Sequence, residues 1–507
     1  MTEGYLIGVD IGTQGTKTTL FSIEGNAVAE SFEPSRLISP SPGVVEQEPD
    51  EILGSVYRTI RKVMEQSGVN AGKVEAVGMD GQMAGILGID RDWNAVTCYD
   101  SWLDTRCGWY IRQIKEQAEE EVIKTTGCPV TYAHGPKVLW WKHERPDSYR
   151  KISRFVLPTT YVAGKMTGLK AEEAYIDYTH LHFSGFGDVQ KNRWAEDLLN
   201  HFGVEREKMP EIVEPWKIVG CLTEEAAGQC GLTSGIPVAA GCGDQAATSL
   251  GAGVTRAGLA FDVAGTASVF SCCVSSYTPD VKYKTLLYPR SVLPGLWIPL
   301  AYTNGGGLCL KWFRDNLTGK GTPPSYRELD AEAEAVPAGS ENLLFLPHFA
   351  GRVCPNDPDV RGTWVGLNWS HTRGHLYRAV MEGIAYEYKY YLRVLSESMG
   401  KVDFTGVIAA GGGAKSRVFN AIKSDVLGIP YVTMKRNDTA TFGSAVVAGY
   451  GAGIYTDMVS VIEKVNEKTG TVMPNEANAA VYGRLADAYE GVFQALGPTF
   501  RRLAEER

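Results

Sequence analysis

Two stretches of this chain, Asp10-Ile-Gly12-Thr13-Gln14-Gly15-Thr16-Lys17 and Asp262-Val-Ala-Gly265-Thr266, share one pattern: an acid near the end of an apolar run, then a glycine and threonine turn. Glycine lets backbone N–H groups close on an anion, and threonine adds hydroxyl donors. Two such loops half a chain apart could hold one polyphosphate from opposite sides. Asp10, at the end of its strand, is placed to hold magnesium through water. A P-loop is excluded, because Thr16 separates the glycine from Lys17 and strand formers follow where a P-loop has a helix. A capped turn explains either loop alone; their repetition points to nucleotide binding.

A third acid, Asp244, lies in Gly241-Cys-Gly243-Asp244-Gln245, after the apolar run Ile236 to Ala240. There a strand gives way to a helix, and a carboxylate so placed could take the proton from a hydroxyl attacking a γ-phosphate. The other reading of Asp244 is a helix N-cap. Gly411-Gly412-Gly413-Ala414 also falls between a strand and a helix. Bare glycine there admits adenine or ribose against the backbone, and a tight strand-to-helix turn requires the same residues.

The elements that must position these residues follow from periodicity. Thr18 to Ser22 and Ala27 to Phe32 flank Glu24-Gly25-Asn26 as a hairpin, so the chain opens strand, loop, strand, turn, strand. Ile52, Val56, Ile60, Val63 and Met64 fall on one helical face that Gly68 stops, and Val74 to Gly78 follows as a buried strand. The second half repeats the scheme, with a strand-like Gly258 to Ser275, a helix from about His375 to Leu395 and a strand from Gly406 to Ala410. A helix carrying Val418, Phe419, Ile422 and Val426 then ends at Gly428. Hairpins alternating with helices predict α/β lobes with mixed sheets, unlike an all-parallel dinucleotide-binding sheet. The lobe boundary is expected near Gly251 to Gly258, giving an N-terminal lobe of 1–252 and a C-terminal lobe of 253–507.

Composition sets outer bounds. At 507 residues the chain exceeds one ordinary core. A net charge of -9 with no Lys/Arg-rich run argues against a nucleic-acid partner. No basic and apolar leader opens the sequence and no apolar run is long enough to span a bilayer, so no membrane partner and a cytoplasmic location are expected. Ten cysteines without a CxxC pair read as buried reduced thiols, and eight histidines show no ligand spacing, so no transition-metal site is expected.

Essentially the whole chain resembles the FGGY carbohydrate kinases, and within them the xylulokinases. The second family signature is matched by Gly362-Thr-Trp-Val-Gly366-Leu367, seven intervening residues, and His375-Leu376-Tyr-Arg-Ala379-Val-Met-Glu382. The first is recognisable in Tyr132-Ala-His134-Gly-Pro-Lys137-Val-Leu-Trp140-Trp141, with His134 for a small residue and Trp141 for an aliphatic one. The resemblance implies two ribonuclease-H-like lobes of the actin/hexokinase type, with ATP, Mg2+ and sugar meeting in an interlobe cleft. It implies phosphate contacts at Gly12, Thr13, Gln14, Thr16, Lys17, Gly265 and Thr266, and adenosine contacts at Gly411, Gly412, Gly413, Ala414 and Asn420. Asp244 matches the catalytic base and with Asp10 would serve the metal. Trp102-Leu-Asp104-Thr-Arg106 resembles the segment beside the sugar.

Departures concern the substrate. Gln82-Met83-Ala84 keeps the methionine of the xylulokinase Met-His pair but puts alanine for histidine. Gln245 stands where xylulokinases have asparagine, and Gly351-Arg352-Val-Cys-Pro355 departs from their Gly-Glu-Arg-x-Pro stretch. The expectation is an ATP- and magnesium-dependent kinase of a small sugar, a ketopentose before another pentulose, a glycerol- or erythritol-like polyol or an aldonate; a homodimer is permitted. A non-catalytic actin-like ATP switch is the alternative of another class. A dinucleotide oxidoreductase lacks its GxGxxG opening.

Overall fold

In Tyr5-Leu-Ile-Gly-Val-Asp-Ile11 the residues alternate between two buried faces, as a central strand requires. Tyr5, Ile7, Val9 and Ile11 join one apolar cluster and Leu6 another. The structure, a computed structural model, describes residues 3–319 and 321–505. It forms two compact units. The chain passes from the first to the second between Thr255 and Arg256, and Tyr288–Trp297 and Asp438–Asn466 return to the first.

The first unit is built on a sheet of β1 (Tyr5–Ile11), β2 (Gly15–Ser22), β3 (Ala27–Pro34), β4 (Val74–Gly81), β5 (Ile218–Cys221) and β6 (Pro237–Ala239), in the order β5-β6-β4-β1-β2-β3. The short β7 (Cys242–Gly243) also pairs with β4. β1 runs antiparallel to β2 and parallel to β4, so the helix α1 (Pro49–Ser67) serves as part of a crossover. Its Ile52, Val56, Ile60 and Val63 are buried against the Ile7 and Val9 face, each contributing about 1.5–3 kcal/mol.

The opposite face is covered by the helix Thr439–Gly451 and by α2 (Asp244–Ala252). Glycine makes this approach possible. A Cβ on Gly8 would lie 1.8 Å from the Thr441 carbonyl oxygen, and one on Gly78 2.1 Å from that of Ser444. Residues 438–466 therefore belong with the first unit, whereas the sequence boundary assigned them to the C-terminal lobe.

The second unit has β8 (Leu259–Ala264), β9 (Ser268–Cys272), β10 (Leu300–Thr303), β11 (Gly406–Ala410), β12 (Tyr431–Met434) and β13 (Lys468–Val472), in the order β10-β9-β8-β11-β12-β13. Its pairings from β10 onward read antiparallel, antiparallel, parallel, parallel, antiparallel. The first sheet gives the same series from β3. The mixed α/β class and the repeated scheme are thus present in both units. Helices α3 (Gly306–Asn316), α4 (Arg373–Met399) and α5 (Arg417–Leu427) complete the parts used below. All ten cysteines are free thiols, with Cys98 half-buried, Cys221 exposed and the rest buried.

Candidate active site

Three carboxyls lie near one another at the ends of parallel strands in the first unit. On β1 the face that carries Leu6 and Gly8 ends in Asp10; on β4 the face that carries Ala76 and Gly78 ends in Asp80. The two acids are register partners, and Cys242 of β7 is the other partner of Asp80, so Asp244 follows two residues on. Asp80 is fully buried, accepts a 2.5 Å hydrogen bond from Ser444 Oγ, and lies within hydrogen-bonding reach of Asp10. Burial, then the Asp10 charge, pushes its pKa well up, so it keeps its proton. Burial and the Asp244 charge push Asp10 to about 7. Burial raises Asp244 to about 6, against the pull of the Gln245 backbone N–H and of His180.

Asp244 is the first residue of α2, and Gly243 occupies the N-cap position. Its Oδ1 accepts the Gln245 N–H at 2.6 Å, leaving Oδ2 for other chemistry.

Beside these acids Thr13 holds Trp102. Trp102 Nε1 donates to Thr13 Oγ1 at 2.8 Å, and that hydroxyl donates to Gln82 Oε1 at 3.1 Å. Gln82 Nε2 donates to Gln47 Oε1 at 2.6 Å, and the chain returns through Ser35 to the Thr13 carbonyl. Trp102 thus stands exposed but anchored. Asp104 faces inward: its Oδ2 accepts from Val45 N at 2.8 Å and from Arg106 Nε at 2.8 Å, so it braces this segment from beneath. Buried Lys137 ties the same turn through the Ser101 and Asp104 carbonyls. The Trp141 indole donates to Asp100 Oδ2 at 2.6 Å, a bond that an aliphatic residue at this position could not make.

Met83 packs against Gly243, where a Cβ would come 2.5 Å from the methionine Cε. Ala84 is buried and adopts a left-handed φ of 64°. Gln245 carries a buried side-chain nitrogen without a protein partner. Gly12 and Gln14 remain at the loop surface, and Lys17 pairs with Glu30 at 2.7 Å. Thr16 does not join them, because strand alternation turns it inward, where its hydroxyl meets Ser55 Oγ at 2.6 Å.

In the second unit the Gly265 and Thr266 carbonyls accept the Gly307 and Leu308 N–H groups at the start of α3, which fixes the loop and leaves the Thr266 side chain exposed. Gly411 has a φ of 78° and comes so near Ala264 that a Cβ would lie 2.8 Å from its carbonyl oxygen. The tight turn thus requires this glycine on its own account, while Gly412 stays exposed. Asn420 is buried and donates to the Ala414 carbonyl at 2.8 Å, so it supports this loop from behind. Asp262, the counterpart of Asp10 in sequence, is buried in an ion pair with Lys423 and accepts from Tyr388 OH at 2.8 Å. Arg352 is likewise internal, paired with Glu387 at 3.1 Å.

Sequence reading did not single out Asp80, Ser444, or the pair Asp177 and His180 behind Gly243. The available signals were Asp80 in the strand's terminal Met79-Asp80-Gly81, and Asp177 three residues before His180. Among the described residues no group of three or more His, Cys, Asp or Glu side chains is arranged to hold a metal ion, and no helix is long and apolar enough to cross a membrane.

These features converge with the comparisons. The N-terminal domain of the FGGY family of carbohydrate kinases matches residues 5–251 and its C-terminal domain residues 261–452. The chain belongs to this family and is a phosphotransferase with an alcohol group as acceptor. It is 26% identical to the xylulose kinase of Bacillus subtilis (strain 168), over 96% of each chain. It is 27% identical to that organism's gluconokinase, over 99% of this chain and 98% of the relative. The crystal structure of xylulose kinase from Rhodospirillum rubrum superposes with a TM-score of 0.90 at 27% identity, covering 98% of this chain and all of that one.

Proposed function

We propose that the chain transfers the γ-phosphate of ATP to a hydroxyl of a small sugar, a ketopentose before other pentuloses, polyols or aldonates, with Asp244 as general base. The observation that carries this reading is Asp244 itself. It sits at a strand-to-helix junction beside Met83, Trp102 belongs to the neighbouring network, and its pKa of about 6 leaves it ionised at neutral pH yet basic enough to take a hydroxyl proton. Xylulose kinase and gluconokinase relatives match at nearly equal identity, so the ketopentose preference rests on Met83 and the whole-chain pattern.

The donor set fits a magnesium nucleotide. Asp10 is an all-oxygen ligand whose pKa is raised partly by Asp244, and a cation relieves that repulsion; magnesium takes one or two carboxylates and keeps several waters. Asp10, with Asp244, would hold it. Gly12, Thr13, Gln14, Lys17, Gly265 and Thr266 are the proposed phosphate contacts, and Gly411 to Ala414, supported by Asn420, the adenosine contacts. When bound, ATP and Mg2+ supply the phosphoryl group and neutralise its developing charge. Asp244 orients the acceptor hydroxyl and accepts its proton at Oδ2; Trp102 and Met83 fix the sugar against the base.

A panel of ketoses, polyols and aldonates with ATP and Mg2+, read by ADP formation, tests this. Acceptor-dependent ADP release, fastest with a ketopentose, is expected. Acceptor-independent release overturns the kinase reading, and a best rate with an aldonate or polyol overturns the ketopentose assignment.

A further inference from the structure

Behind Gly243 lies a polar group that the reaction above does not use. The Asp177 carboxylate accepts from Thr179 N at 2.9 Å and from the Thr179 hydroxyl through Oδ1, and binds His180 Nδ1 at 2.5 Å through Oδ2. Thr179 Oγ1 in turn accepts the Gly243 N–H at 2.9 Å, so this turn is bolted to the residue preceding Asp244. Asp177, Thr179 and His180 are all buried, with His180 at 0% exposure. Yet His180 Nε2 has no protein partner.

A carboxylate on Nδ1 fixes the neutral ring as the Nδ1–H tautomer, which leaves Nε2 as an acceptor. A fully buried acceptor without a partner is costly, and it calls for a donor that the protein itself does not supply. The ring lies near the Asp244 carboxyl, and Met83 packs on the Gly243 that Thr179 holds. Ala84, next in sequence to Met83, offers no polar group of its own. His134, whose Nε2 is also unpartnered, and His182, whose Nδ1 meets the Thr179 carbonyl at 3.1 Å, are the other titratable groups near the ring. Burial drives both toward the neutral form, so neither is a charged competitor for Nε2.

We propose that His180 is a specificity-determining sugar contact, its Nε2 accepting a hydrogen bond from a substrate hydroxyl other than the one that Asp244 deprotonates. The proposal rests on the sugar-kinase reading and adds a second hydroxyl contact to it. Asp177 and Thr179 preset the ring's orientation, while the groups covering Nε2 must give way to admit the hydroxyl.

The test uses the best acceptor from the panel and its series of monodeoxy analogues, with wild type, His180→Ala and His180→Gln. Wild type should reject one analogue by on the order of 10- to 100-fold in kcat/KM, because that analogue leaves Nε2 unpaired. In His180→Ala the parent sugar should fall toward that analogue while the analogue itself is little changed, with KM for ATP unaltered. If every parent-to-deoxy ratio survives in both variants, His180 is structural and the proposal is overturned. Should either variant fail to fold, histidine-15N-labelled wild type decides instead: sugar added without nucleotide should move the His180 Nε2 resonance, and an unmoved resonance overturns the contact. Failure of the kinase reading shows separately, as a panel in which no acceptor is phosphorylated.

Discussion

Asp10 and Asp80 occupy one register position on adjacent parallel strands, so two carboxyls that would repel when ionised lie within hydrogen-bonding reach at the ends of β1 and β4. Ser444, arriving from residues more than three hundred positions later, donates to Asp80; that bond by itself favours the ionised form, but burial and the Asp10 charge outweigh it, so Asp80 keeps the proton. Asp10 is left as the one that ionises first. The packing glycines Gly8 and Gly78 permit that contact, because only at that helix-to-sheet distance does Ser444 reach Asp80.

Asp80→Asn should therefore separate stability from activity. The amide still accepts from Ser444 through its oxygen and removes the cost of protonating a buried carboxyl at neutral pH, so the melting temperature should hold or rise. Turnover should fall, because Asp10 loses the carboxyl that tunes it. Parallel thermal denaturation and ADP-formation assays check this; a variant that loses stability and activity together would make Asp80 a plain core residue.

Asp244→Asn should cut kcat by roughly 10²–10⁴-fold, the usual contribution of a positioned base. ATP affinity and folding should be largely intact, since the amide can still accept the Gln245 N–H. Single-turnover kinetics with nucleotide titration measures both, and near wild-type turnover would remove Asp244 from the mechanism.

How much of this was legible in the sequence depends on range. The glycine-threonine loops, the hairpin and α1 with its Gly68 stop are local patterns, and the structure has them at those positions. Asp80 was not legible as a partner of Asp10, because register across a parallel crossover is not written in either strand. Asp262 looked like a second Asp10 until the fold placed Lys423 against it, an ion pair 161 residues apart in sequence. Thr16 was read as part of its loop, but pairing with β3 extends β2 back to Gly15 and turns that hydroxyl toward Ser55. The packing of the helix Thr439–Gly451 on the first sheet was not legible for the same reason: its partners, Gly8 and Gly78, lie at the other end of the chain.

Thr13→Val and Thr266→Val should differ in what they disturb. Thr266 is exposed on its loop, so loss of its hydroxyl should weaken ATP use by about 1–3 kcal/mol if it meets a charged phosphate. Thr13 also anchors the Trp102 indole, so its variant should raise KM for the sugar and alter tryptophan emission. Unchanged ATP kinetics in both variants would return the loops to ordinary turns.

Ala84→His places an imidazole next to Met83 at a position with a φ of 64°. Alanine already carries the Cβ that a left-handed backbone penalises, so the cost is that of fitting a larger side chain at a buried position, roughly 1–3 kcal/mol of stability. Among acceptors, kcat/KM for D-xylulose should rise relative to the others, because a hydrogen-bonding site discriminates hydroxyl patterns more strongly than an apolar one. An acceptor ranking unchanged from wild type would show that residue 84 does not face the sugar.

The buried pair Glu387 and Arg352 makes a prediction about acid stability. Burial alone would raise the Glu387 carboxyl, but Arg352 and His348 outweigh it and hold the pKa down to about 2, against an ordinary 4.5. A carboxyl depressed on folding contributes stability that is fully present above its unfolded pKa and lost as pH falls through the folded one, here between about 4.5 and 2, on the order of 3 kcal/mol. Asp10 and Asp100, both raised to about 7, act with the opposite sign, favouring the folded state as pH falls from about 7 toward 4. Urea denaturation of wild type and Glu387→Gln across this range isolates the Glu387 contribution, because the aspartates cancel in the difference. The variant should be less stable at neutral pH, by about 3–5 kcal/mol once Arg352 is left buried and unpaired, and the gap should narrow as pH drops below 4.5. A difference independent of pH would mean that Glu387 is held by packing and hydrogen bonds that do not require its charge.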